Sequence, residues 1–238
     1  MKEPEIISIP GGEVTLGVPE VPRETALPHP WSPVTRAVPA FGIAARAVTV
    51  GDYLGFAEIT GYPIDDSLTV DPRFQDPLAP AGFVSWIDAT SYVQWLARET
   101  GKPYRLVRDA EYEYAARGGM TGKRFPWGDH GPDGLADFGN PDGAPLPVGS
   151  FAPNGFGLFD MAGSMWTWCE ERFDEIVPDD RARMSYDDTL IRDVRHNRIC
   201  RGGSFKTSDM AALYCAHRHE DPTDSRFDCI GFRVALSH

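Results

Sequence analysis

Helical periodicity is confined to the first half of the chain. From residue 85 to 100 the apolar positions Trp86, Ala89, Tyr92, Val93 and Leu96 recur three or four apart, the spacing that lines one face of an α-helix. Gly101 supplies its stop. Residues 50–60 predict a second helix, with Thr49 as N-cap, Tyr53, Leu54, Phe56 and Ala57 on one face, and Gly61 as terminator. A shorter helix is predicted over 109–117, after the extended stretch Tyr104-Arg105-Leu106-Val107. Residues 5–17 read as strand, turn and strand, with Pro10-Gly11-Gly12 as the reversal, and 38–43 as another strand. The proline-rich residues 19–33 predict a surface loop, and 62–82 a long connection. After Gly118-Gly119 helical signals fade. Phe125-Pro126-Trp127-Gly128-Asp129 predicts a rigid turn, 131–160 is rich in Gly, Pro, Asn and Asp, and 198–205 and 229–236 predict short buried strands. Helices early and loops with short strands late make a single α+β domain over residues 1–238.

Composition sharpens this picture. Of 238 residues, 42% are hydrophobic, enough for a sizeable core, while 24 Gly and 21 Pro argue for an irregular, loop-rich fold. A net charge of -12 repels phosphate backbones and anionic membranes, so neither nucleic acid nor membrane is an expected partner. No stretch is long and apolar enough for a membrane span, and no apolar segment follows Met1-Lys2-Glu3-Pro4-Glu5; a soluble, cytoplasmic protein is expected. Cys169, Cys200, Cys215 and Cys229 form no C-x-x-C pair and are expected to stay reduced, with Cys169, Cys200 and Cys229 packing as core.

An ordered set of motifs then carries a resemblance. Pro10-Gly11-Gly12 is followed by Val48-Thr49-Val50-Gly51-Asp52-Tyr53, Val84-Ser85-Trp86-Ile87-Asp88-Ala89 and Arg105-Leu106-Val107-Arg108-Asp109-Ala110-Glu111-Tyr112-Glu113-Tyr114-Ala115-Ala116-Arg117. Asn154-Gly155-Phe156-Gly157-Leu158-Phe159-Asp160-Met161-Ala162-Gly163-Ser164-Met165-Trp166-Thr167-Trp168, Arg201-Gly202-Gly203-Ser204-Phe205 and Ile230-Gly231-Phe232-Arg233-Val234 complete it. The series resembles the formylglycine-generating enzyme (sulfatase-modifying factor) family over nearly the whole chain. The resemblance implies a loop-rich α+β fold of C-type-lectin-like kind.

It also implies several functional classes. Copper oxidases of the family use a cysteine pair after Arg-Gly-Gly-Ser; here the matching positions are Thr207 and Ala212, or Met210 counted from Gly231, and a soft Cu(I) site of two thiolates is lost. Sulfoxide synthases of thiol-histidine biosynthesis bind iron through a helical domain and a His-x-x-x-His motif that this sequence lacks. Other relatives belong to pathways for siderophore chromophores and small N-heterocycles, and others are diversified ligand-binding proteins. The family's calcium sites map to Asp160 and Thr167, the latter usually Glu, and to Asp137, Asn140 and Asp142, where oxygen ligands survive.

The cluster Tyr214-Cys215-Ala216-His217-Arg218-His219-Glu220-Asp221 is the richest in chemistry. If extended, it places Cys215, His217 and His219 on one face as ligands for Fe, Cu, Co or Zn, with Asp221 continuing that face. Tyr214 or Asp221 could move protons and Arg218 could hold a carboxylate. The same residues also suit a metal-free substrate pocket or a solvated strand face. Arg201 and Arg226 read as structural, and His29 and His130 are assigned no role. The reading favoured is a metal-dependent oxidase or oxygenase acting on a small molecule; the alternative is a lectin-like binding protein with 206–229 as its variable surface. The oligomeric state is left open.

Overall fold

The two longer predicted helices form between the caps that their sequence supplies. The computed structural model describes residues 3–17, 34–172 and 197–238; the proline-rich stretch 19–33, with His29, lies outside the described residues. Helix α1 (Val50–Thr60) starts at Thr49, whose hydroxyl accepts from the Asp52 amide while the Asp52 carboxylate accepts from the Thr49 amide. Ser85 and Asp88 repeat this reciprocal cap on the long helix that runs from Trp86 to Thr100. The long connection before it carries the one-turn helix α2 (Ser67–Val70) and a 3-10 turn, Pro72–Phe74, so the long helix is α3. Helix α4 is Asp109–Arg117. Among the described residues no helix is long and apolar enough to cross a membrane.

Strands β1 (Ile6–Ile9), β4 (Phe41–Ala44), β10 (Val234–Ser237) and β5 (Tyr104–Leu106) form one antiparallel sheet in that order. Strands β2 (Gly12–Leu16) and β3 (Val34–Val38) form a separate ladder. The second four-stranded sheet has the order β8 (His219–Pro222), β7 (Asn197–Arg201), β6 (Trp166–Arg172) and β9 (Ile230–Phe232), with β6 and β9 parallel. Two sequence expectations are corrected here. The strands around Pro10-Gly11-Gly12 do not pair with each other: β1 joins β4 and β2 joins β3. The expected strand over 38–43 breaks in two, because Pro39 has no N–H for a ladder and the chain leaves one sheet for the other there. Gly11 sits against this break, where a Cβ would lie 2.7 Å from the Ala40 nitrogen.

Helices α1 and α3 cover the main core. Tyr53, Phe56, Tyr92, Trp95 and Phe232 pack there ring against ring, with centroids 5.2–6.3 Å apart. Two fully buried indoles stitch α3 to the second sheet: Trp86 Nε1 donates to the Cys169 carbonyl at 2.9 Å, and Trp168 Nε1 to the Val84 carbonyl at 2.8 Å. The Arg198 guanidinium lies 4.0 Å above the Trp86 ring. Strand β6 escaped the sequence reading because its first five residues are all buried, which erases the alternation of a half-exposed strand.

A buried ionic network joins α4 to β7. Arg201 is fully buried; its Nε donates to Asp109 Oδ1 at 2.7 Å, and its Nη2 to Glu113 Oε2 at 3.2 Å. Glu113 Oε1 accepts from Arg117 at 2.6 Å and from the Gly17 amide at 2.7 Å. Gly202 follows at φ 94°, where a Cβ would come within 2.3 Å of the Tyr112 hydroxyl, so the Arg-Gly-Gly motif is an ion-pair anchor followed by a close backbone passage. At the end of β6, Glu171 accepts from the Asp109 amide at 2.8 Å, and burial, with the neighbouring Glu170, pushes its carboxyl up to about 8.

Two outcomes are expected. Arg201→Met leaves Asp109 and Glu113 without a shared cation and lowers stability by about 3–5 kcal/mol in urea unfolding; a loss below about 1 kcal/mol would show that the network is dispensable. The Glu171 carboxyl is held protonated in the fold but has its ordinary value in the unfolded chain. Its contribution is therefore complete at acidic pH and is lost as pH rises through about 8. Glu171→Gln should gain Tm relative to the parent as pH climbs from about 5 to about 9; a difference independent of pH would contradict this.

Candidate functional site

Trp166, the first residue of β6, is the platform of the site. Its ring lies 5.0 Å from the His219 imidazole at 32° and 5.6 Å from the His217 imidazole at 39°, so the indole has both histidines against it. Strand β8 begins at His219, and period-two geometry puts Asp221 on the same side. His219 Nε2 lies 3.0 Å from Asp221 Oδ2, within ion-pair distance but without the alignment of a directed hydrogen bond, and that buried oxygen has no other partner. His219 is exposed, with 45% of its side chain accessible, whereas His217 is half-buried. Burial, then the Arg201 and His219 charges, depress His217 to about 4, so it is a neutral imidazole at physiological pH.

The segment before β8 is not extended, which corrects the expected one-face array of Cys215, His217 and His219. A 3-10 turn over Met210–Leu213 runs into a second turn closed by the His217 amide donating to the Tyr214 carbonyl at 2.9 Å. Arg201 explains the curl: its Nη1 donates to both the Cys215 and His217 carbonyls at 3.0 Å. Cys215 is thereby turned into the core beside Tyr112, Met161, Cys169 and Ile199, and burial pushes its thiol up to about 12. A protonated thiol in an apolar pocket is a poor metal ligand. Among the described residues no three His, Cys, Asp or Glu side chains are grouped to hold a metal ion.

The proposed helpers are also placed. Tyr214 is buried with its ring edge-on to Phe125, 5.1 Å away, and Phe125 stacks on Trp127. Arg218 grips Asp109 through Nε, at 2.8 Å, and through Nη2, which ties the site segment to α4. Arg226 makes a two-pronged pair with the capping residue Asp88, at 2.7 and 2.9 Å, and is structural as expected. His130 offers its carbonyl to Trp127 Nε1 at 3.0 Å. All four cysteines are free, with Cys229 half-buried and the others buried.

The expected calcium residues do not converge. Asp137 is buried and Asp160 half-buried, and burial raises both carboxyls, with the Asp160 charge adding to the effect on Asp137. Each is already capped by one amide, Leu146 N on Asp137 at 2.8 Å and Gly149 N on Asp160 at 2.7 Å. Asn140 and Asp142 are exposed on the surface. Calcium takes six to eight oxygens, and this set does not fit it.

The candidate cluster of His217, His219 and Asp221 is named by the sequence, whereas the Trp166 ring against which the histidines lie is not. The signal was available in Trp166-Thr167-Trp168: tryptophans two apart on a strand share a face. Sequence reasoning also missed Asp109 and Glu113, whose spacing of four on α4 presents both carboxylates to one arginine.

Comparison with known proteins agrees with this architecture. The chain is 35% identical over 180 residues to the formylglycine-generating enzyme of Streptomyces coelicolor, covering 67% of this chain and 53% of that protein. The chain spans about half the length of that enzyme and of its counterpart from Thermomonospora curvata. The solved structure of PvdO from Pseudomonas aeruginosa superposes with a TM-score of 0.78 at 27% identity, covering 99% of this chain and 95% of that one. Treponema denticola variable protein 1 superposes at 0.71 and 18% identity, covering 97% and 94%, a likeness of fold alone. The model of the sulfatase-modifying factor enzyme 1-like domain matches residues 1–238, and the chain belongs to that family, the family of the formylglycine-generating enzymes.

Proposed function

We propose that the chain is a small-molecule oxidase of specialised metabolism, acting on a planar, electron-rich N-heterocycle or chromophore precursor. One observation carries the reading: an indole with two imidazoles against it, one neutral and sheltered, the other exposed and paired with a carboxylate. The exposed His219 ring, seated on the buried Trp166 indole, provides a flat surface, and the neutral His217 a hydrogen-bonding edge, for a ring. His219, within ion-pair reach of Asp221, takes a proton from the bound ring system as electrons leave it. The substrate gives up two electrons and two protons, and dioxygen takes both to become hydrogen peroxide.

Family membership supports oxidative chemistry as a class; the transition metal (Fe, Cu or Co) expected from the cluster is not carried into the proposal. The described residues do not fit such an ion, since Cys215 faces the core; the roles proposed are those of side chains alone. Formylglycine generation is not part of the proposal, because Thr207 and Ala212 stand where the cysteine pair would be.

One observation favours the lectin-like alternative. Met210 and Phe227, in the segment suspected of variation, are 48% and 47% exposed, and apolar side chains of that size suit a contact surface.

The test is oxygen consumption and peroxide release with a panel of dihydro N-heterocycles, alongside calorimetric binding of the same compounds. For a turned-over compound, His219→Ala should lower kcat by about 100-fold or more while binding changes only a few-fold. Trp166→Leu should weaken binding by about tenfold. Tight binding with no oxygen uptake, unaffected by His219→Ala, would overturn the oxidase and establish a binding module.

A further inference from the structure

We propose that a cavity beside Asp160, separate from the Trp166 surface, binds a small organic ammonium ion carrying one aromatic or aliphatic ring. The cavity encloses about 260 Å³, and Trp127, Leu135, Phe151, Leu158 and Met161 supply most of its wall. That is just below the ~300–1,000 Å³ of drug-sized pockets and suits a ligand of one ring and a short chain.

The polar side chains of the wall decide the ligand's chemistry. Asn154 also lines the cavity, but its amide is spent: Nδ2 donates to the Ala115 and Ala116 carbonyls, and Oδ1 accepts from the Phe156 and Leu158 amides. Trp127 spends its N–H on the His130 carbonyl and has only ring surface left to offer. Asp160 is the one ionisable residue among those that line the cavity. Its Oδ2 accepts from the Gly149 amide at 2.7 Å, and no hydrogen bond to Oδ1 is found among the described residues. Among the described residues no hydrogen bond or ion pair joins Asp160 to the two nearest guanidiniums: Arg233 donates to the Ala44 and Phe159 carbonyls and Arg46 pairs with Glu5, although both charges lie near enough to favour the ionised carboxylate. A greasy wall with one free acceptor charge selects a ligand with an apolar body and a donor-only cationic head. Calcium is a poor match, since beyond one carboxylate the side chains of the wall are carbon or already satisfied. Asp160 also has φ 54°, a left-handed backbone that holds the carboxylate in place and that Asn adopts readily.

The experiment is calorimetric titration of the full chain with phenethylammonium chloride, with 2-phenylethanol as the uncharged analogue and calcium chloride as the inorganic cation. The ammonium should bind at least about tenfold more tightly than the alcohol. Asp160→Asn keeps the acceptor for Gly149 and the left-handed backbone, so it should keep Tm while weakening the ammonium by about tenfold. Ala152→Phe, at an exposed position on the cavity rim, should block binding without touching the core. Equal binding of the alcohol, no ammonium binding, ammonium binding indifferent to Asp160→Asn and to Ala152→Phe, or a calcium site lost in Asp160→Asn would each overturn the proposal.

Discussion

The ion pair from Arg201 to Asp109 and Glu113 is the constraint on which the rest of the structure depends. One fully buried guanidinium spends its donors on two carboxylates of α4 and on the Cys215 and His217 carbonyls. Removing a charge from water is costly and is offset only when every donor is satisfied. That requirement locks α4, β7 and the turn before β8 into one geometry. The position of His217, and through it the histidine pair on Trp166, follows from this arginine rather than from any regular element.

Other arginines also anchor distant segments, Arg105 and Arg233 from the interior and Arg226 from the surface. Arg226 ties the loop after β8 to the cap of α3, and Arg233 reaches from the β9–β10 junction to the Ala44 and Phe159 carbonyls. Arg105 clamps Glu111 with two bonds of 2.7 Å each. In a chain rich in Gly and Pro, long stretches of backbone lack a ladder or helix to satisfy them. Rigid five-donor side chains do that work at a distance, and buried arginines are the consequence. Exposed, weakly held groups are left at the candidate site, where His219 meets solvent.

Legibility differed between local and nonlocal features. The three longer helices were readable to within a residue because apolar spacing and terminating glycines lie within one helix length. The partnering of β1 with β4 instead of β2 was not, since strand pairing depends on contacts more than thirty residues apart and Pro-Gly-Gly looks like a hairpin either way. The His217, His219 and Asp221 cluster was visible as residue types, but its support on Trp166, some fifty residues upstream, was not.

The sequence by itself determined the family, the α+β class, the helix boundaries and the absence of a cysteine pair where the copper oxidases keep theirs, because each is written in local order and spacing. Only the tertiary structure decided what the chemistry-bearing residues do. It turned Cys215 into the core, bound Arg218 to Asp109, left Asn140 and Asp142 on the surface, and set Asp160 in the wall of an apolar cavity. The reason is physical: what a thiol, a guanidinium or a carboxylate can do depends on burial and on the charges that distant parts of the chain bring to it.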